Sequence, residues 1–266
     1  MRIGIIGGGF MGEAFLRGLL RAEVASPSDI AVAEVSEARR TALTEHAVRI
    51  TEDAESACIG ADLVLLAVKP QDLQAVAESL HGHIPPQAVV VSIAAGVTLE
   101  DVQRHTGHPA AVRVMPNLPA AIGEGAVAYY AAEAVNDQQR ARVEQLLGAV
   151  ATAVVEVADD EAMDLATAVH GSGPGYIYMV IEAMIDSAVR LGMKRQDATD
   201  LVLATVAGSA RYAMQTGAHP ADLRNAVTSP GGTTAAGLAE LEAAGLRAAF
   251  DDAIEAAYVR AEELGE

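Results

Sequence analysis

Ile3-Gly4-Ile5-Ile6-Gly7-Gly8-Gly9-Phe10-Met11-Gly12 opens the chain with a short apolar strand that runs into a glycine-rich turn and then a helix-like stretch. In that context Gly7-x-Gly9-x-x-Gly12 is a dinucleotide-binding fingerprint. Gly7 allows the tight turn, Gly9 lets the backbone approach a pyrophosphate, and Gly12 lets helix and strand pack closely. Gly8, Phe10 and Met11 complete the helix mouth, where unpaired N–H groups and the helix dipole favour an anion. Taken alone, the same pattern also suits a tight strand-to-helix turn that binds nothing. Glu34 favours the binding reading. It closes the second expected strand, 22 residues beyond Gly12, where a carboxylate bonds adenosine ribose hydroxyls. A carboxylate there repels a 2′-phosphate and favours NADH, whereas Arg39 and Arg40 nearby pull towards NADPH.

Outward from this turn, short β-branched runs alternate with helical segments over the first 115 residues. Strands are expected at Ile3–Ile6, Ile30–Glu34, Val48–Ile50, Leu63–Val68, Ala88–Ser92 and Ala111–Met115, with helices at Met11–Ala22, Ser36–His46 and Gln71–Leu80. Such alternation predicts an α/β, Rossmann-like doubly wound parallel sheet. Val127–Tyr130, a helix from about Asn136 to Leu147, and Val154–Val157 finish it at one edge. Ala67-Val68-Lys69-Pro70 ends a buried strand at the carboxyl edge of the sheet, where Lys69 can supply positive charge to a cofactor. Arg113-Val114-Met115-Pro116-Asn117 ends another strand on that edge, and Asn117 can offer an amide to nicotinamide or substrate, or serve as a turn residue.

From Asp159-Asp160-Glu161 onward alanine-rich helical stretches replace strands, with Asp159 or Asp160 suited to cap the next helix. The boundary is therefore expected at about 158: residues 1–158 form the dinucleotide-binding domain and 159–266 an all-helical domain. Tyr176–Leu191 is apolar around most of its circumference, with Glu182, Asp186 and Arg190 forming one narrow polar stripe. About 108 residues cannot easily wrap several such helices, which points to an interlocked homodimer in preference to a self-contained bundle.

The 266 residues are 51% apolar and 20% charged, which excludes a disordered chain. A formal charge of −18 argues against nucleic-acid binding and against docking on anionic membranes, so an anionic ligand must be held by local features. The apolar runs fall short of the 18 or so residues of a membrane span, and the first strand lacks a signal-peptide cleavage site, so a cytoplasmic location is expected. Cys58, the one cysteine, suits a small core residue. No His/Cys cluster has metal-ligand spacing, and His81 and His83 sit in a loop-like stretch, so no metal is expected.

Ser229-Pro230-Gly231-Gly232-Thr233-Thr234 places a second glycine turn before a helix expected at Ala235–Ala244. The N–H groups of Gly232, Thr233 and Thr234 can converge on one carboxylate there. A plain capped helix start would explain one hydroxyl and one glycine of this phrase, but not all of it. Together with Ala236-Gly237-Leu238 and Leu241-Glu242, it resembles the signature of pyrroline-5-carboxylate reductases. Gly7–Gly12, Ala67–Pro70, Val91-Ser92-Ile93-Ala94-Ala95-Gly96-Val97, Arg113–Asn117 and Gly171-Ser172-Gly173-Pro174 fall in that family's order along the whole chain.

The resemblance implies reduction of the cyclic imine 1-pyrroline-5-carboxylate to L-proline with NADPH or NADH, the last step of proline biosynthesis. It also implies a homodimer joined through its C-terminal helices, and larger rings of such dimers. In the family, the loop matching Ser229–Thr234 holds the substrate carboxylate and the threonine matching Thr234 bonds the ring nitrogen. Ser229, Gly231, Gly232, Thr233 and Thr234 are thus the expected substrate residues, with Thr234 catalytic. Gly7–Gly12, Glu34, Ala67, Val68, Lys69, Pro70, Ala94 and Asn117 are the expected cofactor residues. Leu118, His170 and Gly175 depart from the family's usual Thr, Ser and Ala. They motivate a rival in which a paralogue reduces a six-membered or 2-carboxylate cyclic imine. A β-hydroxyacid-type dehydrogenase fits poorly, because its lysine acid/base has only Lys194 as a candidate in the helical region.

Overall fold

A computed structural model of the chain describes residues 1–265. Eight strands carry one sheet: β1 Ile3–Ile6, β2 Ile30–Ala33, β3 Arg49–Thr51, β4 Leu63–Leu66, β5 Val89–Ser92, β6 Ala111–Met115, β7 Gly125–Ala131 and β8 Ala151–Glu156. Between them run helices α1 Phe10–Arg21, α2 Glu37–Leu43, α3 Ala54–Cys58, α4 Pro70–Ser79, α5 Leu99–Thr106 and α6 Asp137–Gly148. Six helices follow the sheet: α7 Asp160–Ala166, α8 Gly173–Arg190, α9 Arg195–Thr216, α10 Pro220–Ala226, α11 Thr233–Ala243 and α12 Leu246–Gly265.

The strand order is β3-β2-β1-β4-β5-β6-β7-β8, with β1 to β6 parallel. β1, β2, β4 and β5 are buried along their whole length because helices cover both faces, which explains their uninterrupted Ile, Val and Leu runs. The chain winds outward from β1 to β3, returns beside β1 as β4, and winds outward again. This reversal makes a switch point between β1 and β4, where the Ala67 N–H donates to the Ile6 carbonyl at 2.8 Å.

The strands at 125–131 and 151–156 finish the sheet at one edge, as expected, and the direction changes there. β7 lies antiparallel to β6, pairing Val112 with Ala131 and Met115 with Ala128. Only residues 116–124 join the two strands, too few for the crossover of a dozen or more residues that a parallel pair requires. The longer α6 connection then returns β8 parallel to β7.

Two compact units divide the chain: residues 1–172 with 257–266, and residues 173–256. The boundary expected near 158 therefore lies inside the first unit, because α7 is tied to β6 by Arg113. The end of α12 also belongs to this unit. It packs so closely on the Gly96 turn (φ +70°) that a Cβ there would sit 2.7 Å from the Leu264 carbonyl oxygen.

In the second unit α8 and α9 form a helical hairpin across a short connection at residues 191–194. Among its described residues only Ala198 and Val202 are buried, while Met179, Leu191 and Met214 are 70% or more exposed. Helices this apolar with so small a core need a partner surface, which weighs against the self-contained bundle. No helix among the described residues is long and apolar enough to cross a membrane.

Candidate active site

The strand β1 delivers the chain into Gly7, whose φ of +104° favours glycine and whose N–H donates to the Ala33 carbonyl at 2.8 Å. A Cβ on Gly12 would collide with the Gly7 carbonyl oxygen, so helix and strand approach as closely as the fingerprint requires. Gly9 differs. It is the N-cap of α1 with no side-chain capping bond, and no atom lies within 4 Å of where its Cβ would stand. Nothing in the chain itself demands glycine there, whereas a pyrophosphate approaching the first N–H groups of α1 would.

Beside this turn, at the carboxyl ends of β1, β2 and β4, lies a cleft of about 540 Å³. Gly7, Gly9, Glu34, Ala67, Val68 and Lys69 all line it. The Glu34 carboxylate is fixed there: Oε2 accepts the Gly8 N–H and Oε1 the Ser36 N–H, each at 2.8 Å. Lys69 is exposed at the N-cap of α4, with Pro70 at the first helical position. A turn that leaves N–H groups free, an acid at the ribose end and an open floor at the switch point fit a bound nicotinamide dinucleotide. Gly8 is buried behind the turn, while Phe10 and Met11 start α1.

Ala94 and Asn117 do not line this cleft. Ala94 is buried after β5. Asn117, expected to offer its amide to nicotinamide or substrate or to serve as a turn residue, braces the first unit: its Oδ1 accepts the Ala126 N–H at 3.0 Å and its Nδ2 donates to the His170 carbonyl at 3.2 Å. The His170 ring lies between two backbone carbonyls, with Nδ1 2.5 Å from Ala166 O and Nε2 2.8 Å from Met115 O. His170 thus joins the end of β6 to the π-helical turn Thr167–Gly171 and acts as a brace.

Arg113 is the residue that sequence reasoning undervalued. It is 4% exposed on β6 and donates to Asp160 Oδ1 and Asp164 Oδ1, both at 2.6 Å. Asp160 also accepts the Leu99 N–H at 3.3 Å. An arginine inside an apolar strand needs a partner when buried, and the acidic run after Asp159 was the available signal.

In the second unit, Ser229–Gly232 forms a type II turn. The Gly232 N–H donates to the Ser229 carbonyl at 3.0 Å, Pro230 takes the second position and Gly231 the third with φ +70°. Thr228 anchors it to α10, donating through Oγ1 to the Arg224 carbonyl at 2.6 Å. The turn corrects one expectation: the Gly232 N–H is spent on Ser229 and is not available to a ligand. The first helical bond after it is Ala236 N–H to the Gly232 carbonyl at 3.2 Å, which leaves the N–H groups of Thr233 and Thr234 at the open end of α11. Among the described residues no hydrogen bond engages the side-chain hydroxyls of Ser229, Thr233 or Thr234.

A doubly wound sheet with a glycine turn at its switch point and an acid closing β2 defines a dinucleotide-dependent oxidoreductase fold. Residues 160–264 match the family model for pyrroline-5-carboxylate reductase dimerisation, and residues 2–96 that for NADP oxidoreductase, coenzyme F420-dependent. A pyrroline-5-carboxylate reductase from Synechocystis is 43% identical over 100% of this chain and 98% of its own length. The structure of a pyrroline-5-carboxylate reductase from Coxiella burnetii superposes with a TM-score of 0.93 at 35% identity, covering 100% of this chain and 98% of that one. That of Plasmodium falciparum pyrroline carboxylate reductase with NADP bound gives a TM-score of 0.89 at 27% identity, covering 100% and 98%. The chain belongs to the pyrroline-5-carboxylate reductase family. Its helical region is a dimerisation domain.

Proposed function

We propose that this protein reduces 1-pyrroline-5-carboxylate to L-proline, the last step of proline biosynthesis. The observation that carries the reading is the Ser229–Thr234 turn, which presents two free N–H groups and three unengaged hydroxyls at the start of α11. The dihydronicotinamide of NADH or NADPH supplies the hydride when bound.

The chain's own residues bind and orient. The N–H groups of Thr233 and Thr234 hold the substrate carboxylate, assisted by the helix dipole. The Thr234 hydroxyl stands at the ring nitrogen, and the ring proton arrives through it or from solvent. An iminium carbon accepts hydride readily, so proximity and orientation suffice without a strong acid. The Gly7–Gly12 turn holds the dinucleotide in the cleft beside β1 that Gly7, Gly9, Glu34 and Lys69 line.

The protein works as a homodimer joined through its C-terminal helices, assembled into a larger ring, in the cytoplasm. The functional division falls near 158, with substrate binding and dimerisation assigned to 159–266. Support for that division is the dimerisation match, which begins at residue 160.

A panel of cyclic imine acids, assayed by coenzyme oxidation, tests the substrate. 1-Pyrroline-5-carboxylate should show the largest kcat/KM. A larger value for a six-membered or 2-carboxylate imine would replace it as the substrate.

A further inference from the structure

The cations that could read a 2′-phosphate beside Glu34 are already committed elsewhere. Arg39 donates to the Gly8 carbonyl through Nη2 at 2.6 Å and Nε at 3.1 Å, and pairs with Glu13 at 2.5 Å. Arg40 donates to the carbonyls of Glu34 at 3.0 Å and Val35 at 2.8 Å, and pairs with Glu52 at 2.5 Å. Arg17, further along α1, pairs with Glu13 and Glu45. Each guanidinium is thus paired with a carboxylate, Arg39 and Arg17 sharing Glu13, and Glu34 remains as the uncompensated charge at the ribose end of the cleft. Lys69 follows β4, two strands away from the end of β2 across β1, or about 10 Å by the usual strand spacing.

The two backbone bonds to Glu34 use one lone pair on each oxygen, which leaves each oxygen able to accept one more donor. A ribose with both hydroxyls free offers two donors. A 2′-phosphate offers acceptors only, with a charge of about −1.5 to −2, against a carboxylate that cannot swing away.

We infer that this cleft selects NADH over NADPH, with Glu34 as the specificity-determining residue and Arg39 and Arg40 withheld from the 2′ position by Glu13, Glu52 and backbone carbonyls. The inference rests on the cleft being the dinucleotide site of the proposed reductase.

Calorimetric titration of the assembled wild-type protein with NAD+ and with NADP+ tests this without turnover, and 5′-AMP against adenosine 2′,5′-bisphosphate isolates the ribose end. Wild type should bind the member of each pair that lacks the 2′-phosphate about tenfold or more tightly. Glu34→Gln should cut that ratio at least severalfold. Glu52→Gln, which frees Arg40, should strengthen NADP+ binding while NAD+ binding holds. Wild type binding NADP+ as tightly as NAD+, or a ratio unmoved in Glu34→Gln, would overturn the selectivity and leave the reductase reading standing. The wild-type ratio alone decides if a variant fails to fold. Failure of both dinucleotides to bind would sink the site assignment and the selectivity together.

Discussion

The buried Arg113 on β6 and the partly exposed Asp160 at the start of α7 form an ion pair at 2.6 Å that fastens the first helix after the sheet to the strand ending at Met115. Asp164, one turn further along α7, takes the other guanidinium nitrogen at 2.6 Å. Removing one partner of a buried pair leaves the others without compensation. Arg113→Met should therefore destabilise the protein by about 3–5 kcal/mol in urea unfolding at fixed protein concentration. Arg113→Lys should recover only part of this, since an ammonium lacks the planar fork that spans two carboxylates. A loss below about 1 kcal/mol for Arg113→Met would mean that the clamp is idle.

That pair also explains where the sequence reading ran short. The strands of the sheet were legible from their apolar runs, and β1, β6 and the start of β4 agree to the residue. The first compact unit runs on to residue 172, past the boundary expected near 158: the acidic residues at 159–161 read as a helix start, and the pairing of Asp160, with Asp164, to Arg113 shows only in tertiary contact. β7 reads as a strand, but its direction is set by the length of the loop before it. Helix α5 went unassigned although Thr98 caps it, accepting the Asp101 N–H at 3.1 Å. Both glycine turns were legible. The bond that takes the Gly232 N–H out of service was not, since only a formed type II turn reveals it.

Thr234→Ala should lower kcat/KM for the imine by about 5- to 150-fold, equivalent to about 1–3 kcal/mol of transition-state binding. The dissociation constant for the coenzyme should stay nearly unchanged. Unaltered kcat/KM would remove Thr234 from the mechanism.

Glu13 offers a pH test. Burial of its carboxyl raises its pKa, but the bonds from Arg39 and Arg17, with His46 alongside, outweigh this and hold it at about 2 against 4.5. A folded-state pKa below the unfolded one adds stability that is complete above about pH 4.5 and lost as pH falls through about 2. With its side chain 18% exposed, solvent screening leaves about 1–2 kcal/mol. Urea midpoints of Glu13→Gln should lie below wild type near neutrality and approach it as the pH drops below about 4.5. A gap independent of pH would show that the carboxylate charge is not what stabilises.

Cys58 should be inert in the folded protein. Burial first, then the charges of Asp53 and Glu55, push its thiol up to about 12, and it is 0% exposed. A thiol-disulfide reagent should titrate one thiol only after denaturation. Rapid reaction of the native protein would place Cys58 at an opening surface.

Carboxylate capture by the turn before α11 is the centre of the proposed function, and the most direct measurement removes the carboxylate. Initial rates should be compared for 1-pyrroline-5-carboxylate and for 1-pyrroline, which keeps the imine and lacks the acid. The expected result is a kcat/KM about 100-fold or more higher for the carboxylate-bearing imine, the size of a charged hydrogen-bonded contact. Equal turnover of the two, or none of 1-pyrroline-5-carboxylate with either coenzyme, would contradict it.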